Sequence, residues 1–247
     1  MKNPSKLVFS SKHSQQIKAM EVADIEQIEL LDQGSNYTFF ATLSSNSNTK
    51  INAIYKPKNG EIPLRDFPKG TLFKRERAAY LLSRILKWKF IPPTIIKEGP
   101  YGIGSLQYYV NHDPSIHYLN IKGNYENEFG IISIFDWICN NADRKAGHII
   151  YGNDGNIWGI DQGLTFNTEY KMRTVIWYEP NQVIPDFIIE KLSTLNNKLL
   201  SKSVVSKEIQ ELLTKEELIA TVQRIQEIIK LGTFPDIRFG RVPWPLL

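Results

Sequence analysis

A chain of 247 residues with 42% hydrophobic side chains can bury one large core or two small ones, and its net charge of +4 is spread along the sequence, so no nucleic-acid surface is indicated. No run approaches the ~20 apolar residues of a membrane helix and the opening residues lack an apolar stretch of secretory length, which sets the expectation of a cytoplasmic protein without stable membrane insertion. One cysteine, Cys139, excludes an internal disulfide, and four histidines without paired spacing argue against a zinc hydrolase.

In chain order, β-branched and aromatic residues predict strands over 25–31, 37–43 and 50–55. The polar run Ser44 to Asn48 is the expected hairpin tip between the last two. Gly34-Ser35-Asn36, between the first two, is compatible with an ordinary turn and equally with one whose backbone amides bind an anion. Helical spacing follows over 71–88, with Leu72, Phe73, Ala79, Leu82, Ile85 and Leu86 on one face and Glu76 near its edge. The basic residues Lys69, Lys74, Arg75 and Arg77 near its start read as a solvated face. Pro92-Pro93 forces a turn, after which 94–97 and 105–110 are extended.

A second helix is expected over 128–140, with Cys139 a buried small hydrophobe. Two short strands, 148–151 and 157–160, flank the turn Gly152-Asn153-Asp154-Gly155. Helices over 185–200 and 214–231 close the chain, the latter opened by the capping pair Thr214 and Glu217 and ended by Gly232. Its stripe of Leu218, Ile219, Val222, Ile225 and Ile229 reads as core packing. The whole predicts an α+β, bilobal fold: a β-rich N-lobe over 1–107 and a helical C-lobe over 108–247.

Two acidic residues stand out beside element ends, Asp143 after the 128–140 helix and Asp161 after the 157–160 strand. The intervening hairpin returns the chain to its starting side, so both carboxylates can face one cleft. Phosphoryl transfer needs one carboxylate near the acceptor hydroxyl, another for a metal ion, and a cation on the phosphates. Lys56, at the end of the third strand, offers the cation, and Glu76 in the following helix is the natural carboxylate to hold it.

These pieces carry a resemblance. Tyr55 to Leu72 (YKPKNGEIPLRDFPKGTL), Arg75-Glu76, Ala78-Ala79-Tyr80, Ile91-Pro92-Pro93-Thr94, Gly99-Pro100-Tyr101-Gly102, Gly104-Ser105-Leu106-Gln107, Asn140 to Lys145 and Trp158-Gly159-Ile160-Asp161 with Gly163 recur in order. Over 55–177 the chain resembles the bacterial phosphatidylinositol 3- and 4-kinase-related proteins, and is distantly similar to HipA-like kinases. The resemblance implies an atypical protein-kinase-like fold with ATP and Mg2+ or Mn2+ between the lobes. On it, Lys56 contacts the nucleotide phosphates and Glu76 positions it; the Ser35-Asn36 turn, outside the resemblance, is expected at the same phosphates only on its turn chemistry. Gln107 to Val110, including Tyr109, form the adenine-side hinge. Asp143 and Lys145 are catalytic, and Asp161 and His148 lie at the metal. His148 departs from the family pattern, which places asparagine there; imidazole suits manganese better than magnesium. The segment 162–173 is only mildly basic, so the hydroxyl acceptor is expected on a protein or small metabolite rather than a lipid. A nucleotide-binding scaffold without turnover, and AMP transfer on the same fold, stay open as alternatives.

Overall fold

The structure is a computed structural model that describes residues 11–31, 36–44, 50–176, 178, 181–201, 204–234 and 242–247. A helix, α1 (Ser11–Val22), precedes the strands β1 (Asp24–Leu31), β2 (Thr38–Ser44) and β3 (Lys50–Pro57). Then come α2 (Leu72–Ile85), β4 (Thr94–Gly99) and β5 (Gly102–Tyr108). The five strands form one antiparallel sheet in the order β1-β2-β3-β5-β4.

Period-two alternation decides what each face of this sheet does. Phe39, Ala41 and Leu43 of β2 and Ile51, Ala53 and Tyr55 of β3 are buried on one face, where Met20 of α1 and Ala23 just after it pack against them. Lys56 therefore points from the other face. Its strand neighbour β5 pairs Lys56 with Ser105, and Gly104 there is required by space. A Cβ at that position would sit 2.4 Å from the Lys56 carbonyl oxygen.

The chain leaves β5 into β6 (His112–His117), a single turn α3 (Tyr118–Ile121) and the helix α4 (Glu126–Cys139). The short strands β7 (Ile149–Gly152) and β8 (Ile157–Gly159) pair antiparallel with each other and with β6. Three helices follow, α5 (Asp186–Leu200), α6 (Val204–Leu212) and α7 (Lys215–Leu231). α4 is apolar nearly all round and is correspondingly encased, with Ile132, Ile134, Phe135, Ile138 and Cys139 fully buried. The capping box at Thr214 forms as the sequence predicts, and Gly232 ends α7 in the left-handed region at φ 64°. The helical half shares one core that includes the inner face of α2, and Ile17 of α1 packs against both this core and that of the sheet.

Three expectations need correction or extension. Arg75 and Arg77 are not a solvated face. Arg75 is buried with its guanidinium paired to Glu217 of α7, and Arg77 donates to Glu208 of α6 at 2.9 Å. A buried arginine at a helix start is stable only with such partners. α1, β6 and α6 were not expected, because their polar residues hide the apolar period. The hairpin tip at 45–49 lies outside the described residues. Among the described residues, no helix is long and apolar enough to cross a membrane.

Candidate active site

β3 delivers Lys56 and α2 delivers Glu76 to a common point. The Lys56 ammonium donates to Glu76 Oε1 at 2.7 Å and lies 3.0 Å from Asp161 Oδ1. Burial alone would weaken the protonated form; the Asp161 and Glu76 carboxylates overcome it and push the lysine well above its ordinary value. Glu76 is 2% exposed, and its second oxygen accepts the backbone N–H of Gln162 at 3.0 Å. One carboxylate thus ties α2 to the lysine and to the chain just past Asp161.

Asp161 sits in the left-handed region at φ 55°, a strained conformation for a residue with a side chain. Its carboxylate remains 43% exposed. Although burial acts to raise its pKa, the Lys56 ammonium holds it well below the usual carboxylate range. It is an open, fully ionised oxygen pair aimed at solvent beside an ammonium.

The loop after α4 carries the other groups. Asn140 ends α4 at φ 53°, donates its amide to the carbonyls of Asn167 and Glu169, and accepts from Lys171 N–H at 2.8 Å. Asn141 accepts the Asp143 N–H at 2.9 Å, which fixes where that aspartate leaves the backbone. Lys145 Nζ stands 3.9 Å from Asp143 Oδ2. Burial raises Asp143 to about 6, Lys145 opposing and Asp161 adding to the shift. His148 Nδ1 lies 2.8 Å from the Asp143 carbonyl, which can only accept, so Nδ1 carries the hydrogen and Nε2 the lone pair. Nε2 is 3.7 Å from Asp161 Oδ2, and burial lowers the imidazole to about 4. The neutral ring therefore turns a lone pair toward the open carboxylate.

Beneath these groups lies a network that sequence reasoning missed. Arg144, fully buried, grips Asp136 of α4 through Nε and Nη2, each at 2.9 Å, and donates to the Ile160 carbonyl at 2.7 Å and Gln162 Oε1 at 2.9 Å. It fixes the two aspartate-bearing segments to each other through their backbones. The available signal was Asp136 itself, a lone charge inside the apolar run Ile131 to Cys139.

Lys56, Glu76, Asp143, Lys145, His148 and Asp161 thus come together. The others stand apart. Gln107 is buried in β5 with its amide donated to Thr94 Oγ1 at 2.9 Å. The Tyr109 N–H is donated to the Asn52 carbonyl at 2.9 Å, and its ring meets Phe40 edge-on at 5.0 Å on the Lys56 side of the sheet. Asn36 Oδ1 accepts the Ile62 N–H at 2.7 Å, a role in fixing the loop after β3. Gly34 and Ser35 lie outside the described residues.

The donor set suits a polyphosphate with a divalent cation. Among the described residues no three carboxylate, imidazole or thiol groups are placed to hold one metal ion together, so the protein would offer Asp161 and His148, leaving positions for phosphate oxygens and water.

No family model matches the chain. Among solved structures, it is similar to hydra Fam20 with a bound sugar at a TM-score of 0.54 and 17% identity, covering 91% of this chain and 89% of that one. It is also similar to the Golgi casein kinase, at a TM-score of 0.51 and 15% identity over 90% of this chain and 76% of that one. The same kinase with Mn and ADP bound gives 0.53 at 15% identity, over 95% and 80%. These likenesses show the fold: α+β and kinase-like, a β-rich sheet region joined to a helical part. They bear out the coarser part of the resemblance, an atypical kinase-like fold. A curated relative, protein Rv2133c of Mycobacterium tuberculosis, is 33% identical over 278 residues, spanning 92% of this chain and 97% of the relative. The chain belongs to the family of Rv2133c.

Proposed function

We propose that this protein is an atypical kinase that moves the γ-phosphate of ATP to a hydroxyl acceptor on a protein or small metabolite. The observation that carries the reading is the Lys56 ammonium held between Glu76 and the open carboxylate of Asp161, with Asp143 on the adjoining loop. Within it, the strand-bearing lobe spans 1–107 and the helical lobe 108–247, with 107–110 as the adenine-side connection. The resemblance to phosphatidylinositol 3- and 4-kinase-related and HipA-like kinases supports the same assignment, as does the Mn and ADP bound to the similar Golgi casein kinase. A lone buried cysteine suits a reducing, cytoplasmic setting.

The roles follow from the geometry. Lys56 neutralises phosphate charge, and Glu76 keeps its ammonium in place. Asp161 and His148 would hold a divalent cation, which would offset charge on the phosphate oxygens. The acceptor oxygen forms its bond to the γ-phosphorus as the bond to the β,γ-bridging oxygen breaks, and the acceptor proton passes to an Asp143 carboxylate oxygen. Lys145, next to Asp143, faces the transferred phosphoryl group.

The test is incubation with ATP and Mg2+ or Mn2+, followed by intact mass and nucleotide analysis. A phosphoryl increment or ADP release is expected, lost in Lys56→Met and Asp161→Ala. Turnover that survives both substitutions defeats the assignment. An adenylyl increment with pyrophosphate release would replace it by AMP transfer, and nucleotide binding without either product by a scaffold role.

A further inference from the structure

Asp161 keeps its left-handed backbone, φ 55°, at a cost, and such a conformation persists only where the surroundings over-determine it. The hydrogen bonds that do so converge on the next residue. The peptide plane before Asp161 is pinned by the Ile160 carbonyl, which accepts from Arg144 Nη1 at 2.7 Å. The plane after it is pinned by the Gln162 N–H, donated to Glu76 Oε2 at 3.0 Å. Peptide units are rigid, so fixing both planes fixes the two rotations at the Asp161 Cα.

Gln162 is fully buried, and each of its polar groups has a partner. Its carbonyl accepts the Thr165 hydroxyl at 2.7 Å. Its side-chain oxygen accepts from Arg144 Nη2 at 2.9 Å and from Asn141 Nδ2 at 3.4 Å, and its amide nitrogen reaches back to the Ile160 carbonyl at 3.4 Å. These partners are the holders of the candidate reacting groups. Glu76 keeps the Lys56 ammonium at 2.7 Å, Asn141 accepts the Asp143 N–H at 2.9 Å, and Arg144 follows Asp143 in the chain. A neutral acceptor suits this place, because the Asp136 carboxylate already answers the Arg144 charge and a further buried anion would lack a cation of its own.

We propose that Gln162 is a positioning residue that locks Asp161 in its left-handed conformation and sets the register of Lys56, Asp161 and Asp143. Being buried, it acts through its neighbours and not by contact with a ligand. The inference rests on the kinase reading for what those three groups do, whereas the lock itself is a property of the protein alone. Removing the Gln162 acceptor leaves Arg144 its two-point grip on Asp136, so the fold should survive while the Asp161 turn loses an anchor.

The test compares Gln162→Met, of like length but without the acceptor, with Met20→Ala, which loosens the sheet core away from the site. In nucleotide-free protein the Asp161 Cα and Cβ chemical shifts, which report backbone conformation, should leave their left-handed values in Gln162→Met and keep them in Met20→Ala. With a non-hydrolysable ATP analogue present, Mn2+ titration followed by electron paramagnetic resonance should show binding weakened about 10–100-fold in Gln162→Met, the usual effect of losing a partner that orients a ligand, and unchanged in Met20→Ala. Thr165→Val, which frees only the Gln162 carbonyl, should move the Asp161 shifts in the same direction, and it decides the matter if Gln162→Met does not fold. The proposal is overturned if Asp161 keeps its left-handed shifts in these variants, or if Met20→Ala weakens Mn2+ binding as much as Gln162→Met does. Wild-type protein that binds no Mn2+ with the analogue and turns over no ATP defeats the kinase reading instead, and the Asp161 shifts still decide the role of Gln162.

Discussion

Asp143 and His148 share a loop, and burial drives each toward its neutral form, by opposite shifts. Asp143 is raised to about 6 and His148 lowered to about 4. A carboxylate that must accept a proton works only when ionised. The acceptor-transfer rate should therefore fall as pH drops through about 6, with the imidazole already neutral across that window. Lys145 lowers the Asp143 value, so Lys145→Gln should move the acid limb of the rate profile upward in pH. A limb that stays put, or moves down, would separate Asp143 from the titration. A second prediction concerns the His148 lone pair facing Asp161. Nitrogen ligands favour manganese over magnesium, so His148→Asn should lower the ratio of Mn2+- to Mg2+-supported turnover. At this scale Lys56, Glu76, Asp143 and Asp161 were legible because each is a charge at an element end or helix edge. Asp136 and Arg144 were not, since a buried pair joins residues from two elements and neither periodicity nor spacing records it.

α2 matters because it carries Glu76, and its own attachment is to the helical half. Next to Glu76, Arg75 pairs with Glu217 of α7 and donates to the Thr165 carbonyl; on its other side, Arg77 reaches Glu208 of α6. Glu217 doubles as the capping-box residue, its other oxygen accepting the Thr214 N–H at 2.9 Å. Removing one member of a buried pair strands the other, at a cost of about 3–5 kcal/mol. Arg75→Met should lose stability of that order in urea denaturation, and Glu217→Gln in the same chain should recover part of it, because the amide keeps the cap without a stranded charge. Arg75→Met should also lower turnover through a displaced Glu76, although Arg75 touches none of the reacting groups. Unchanged stability in Arg75→Met would mean that α2 does not depend on α7. The sequence predicts the helices and their caps from local chemistry, but an arginine at a helix start looks the same whether water or a distant glutamate receives it.

Across the molecule, the sheet and the helical half each have their own core, and α1 is where the two meet. Met20 is buried against the sheet, Ile17 packs against both cores, His13 stacks on Trp158 of β8 at 5.6 Å, and the Glu21 carbonyl accepts from Lys97 of β4. The bilobal division was legible because strand-period and helix-period segments separate along the chain. The strap was not, because its only regularly spaced apolar side chains are Ile17 and Met20 among polar neighbours. Its weight can be measured without touching the candidate active site. Burying a methionine contributes about 2 kcal/mol or more, so Met20→Ala should lower stability by roughly 2–5 kcal/mol once the cavity left behind is included. Ile17→Ser, at the junction, should cost less in stability yet weaken nucleotide binding, because it loosens the placement of one half on the other while leaving Lys56, Glu76 and Asp161 in place. Calorimetry together with titration of a non-hydrolysable ATP analogue separates the two effects. If Ile17→Ser leaves affinity at the wild-type level while melting falls, α1 supports the cores only and has no part in holding the cleft closed around its ligand.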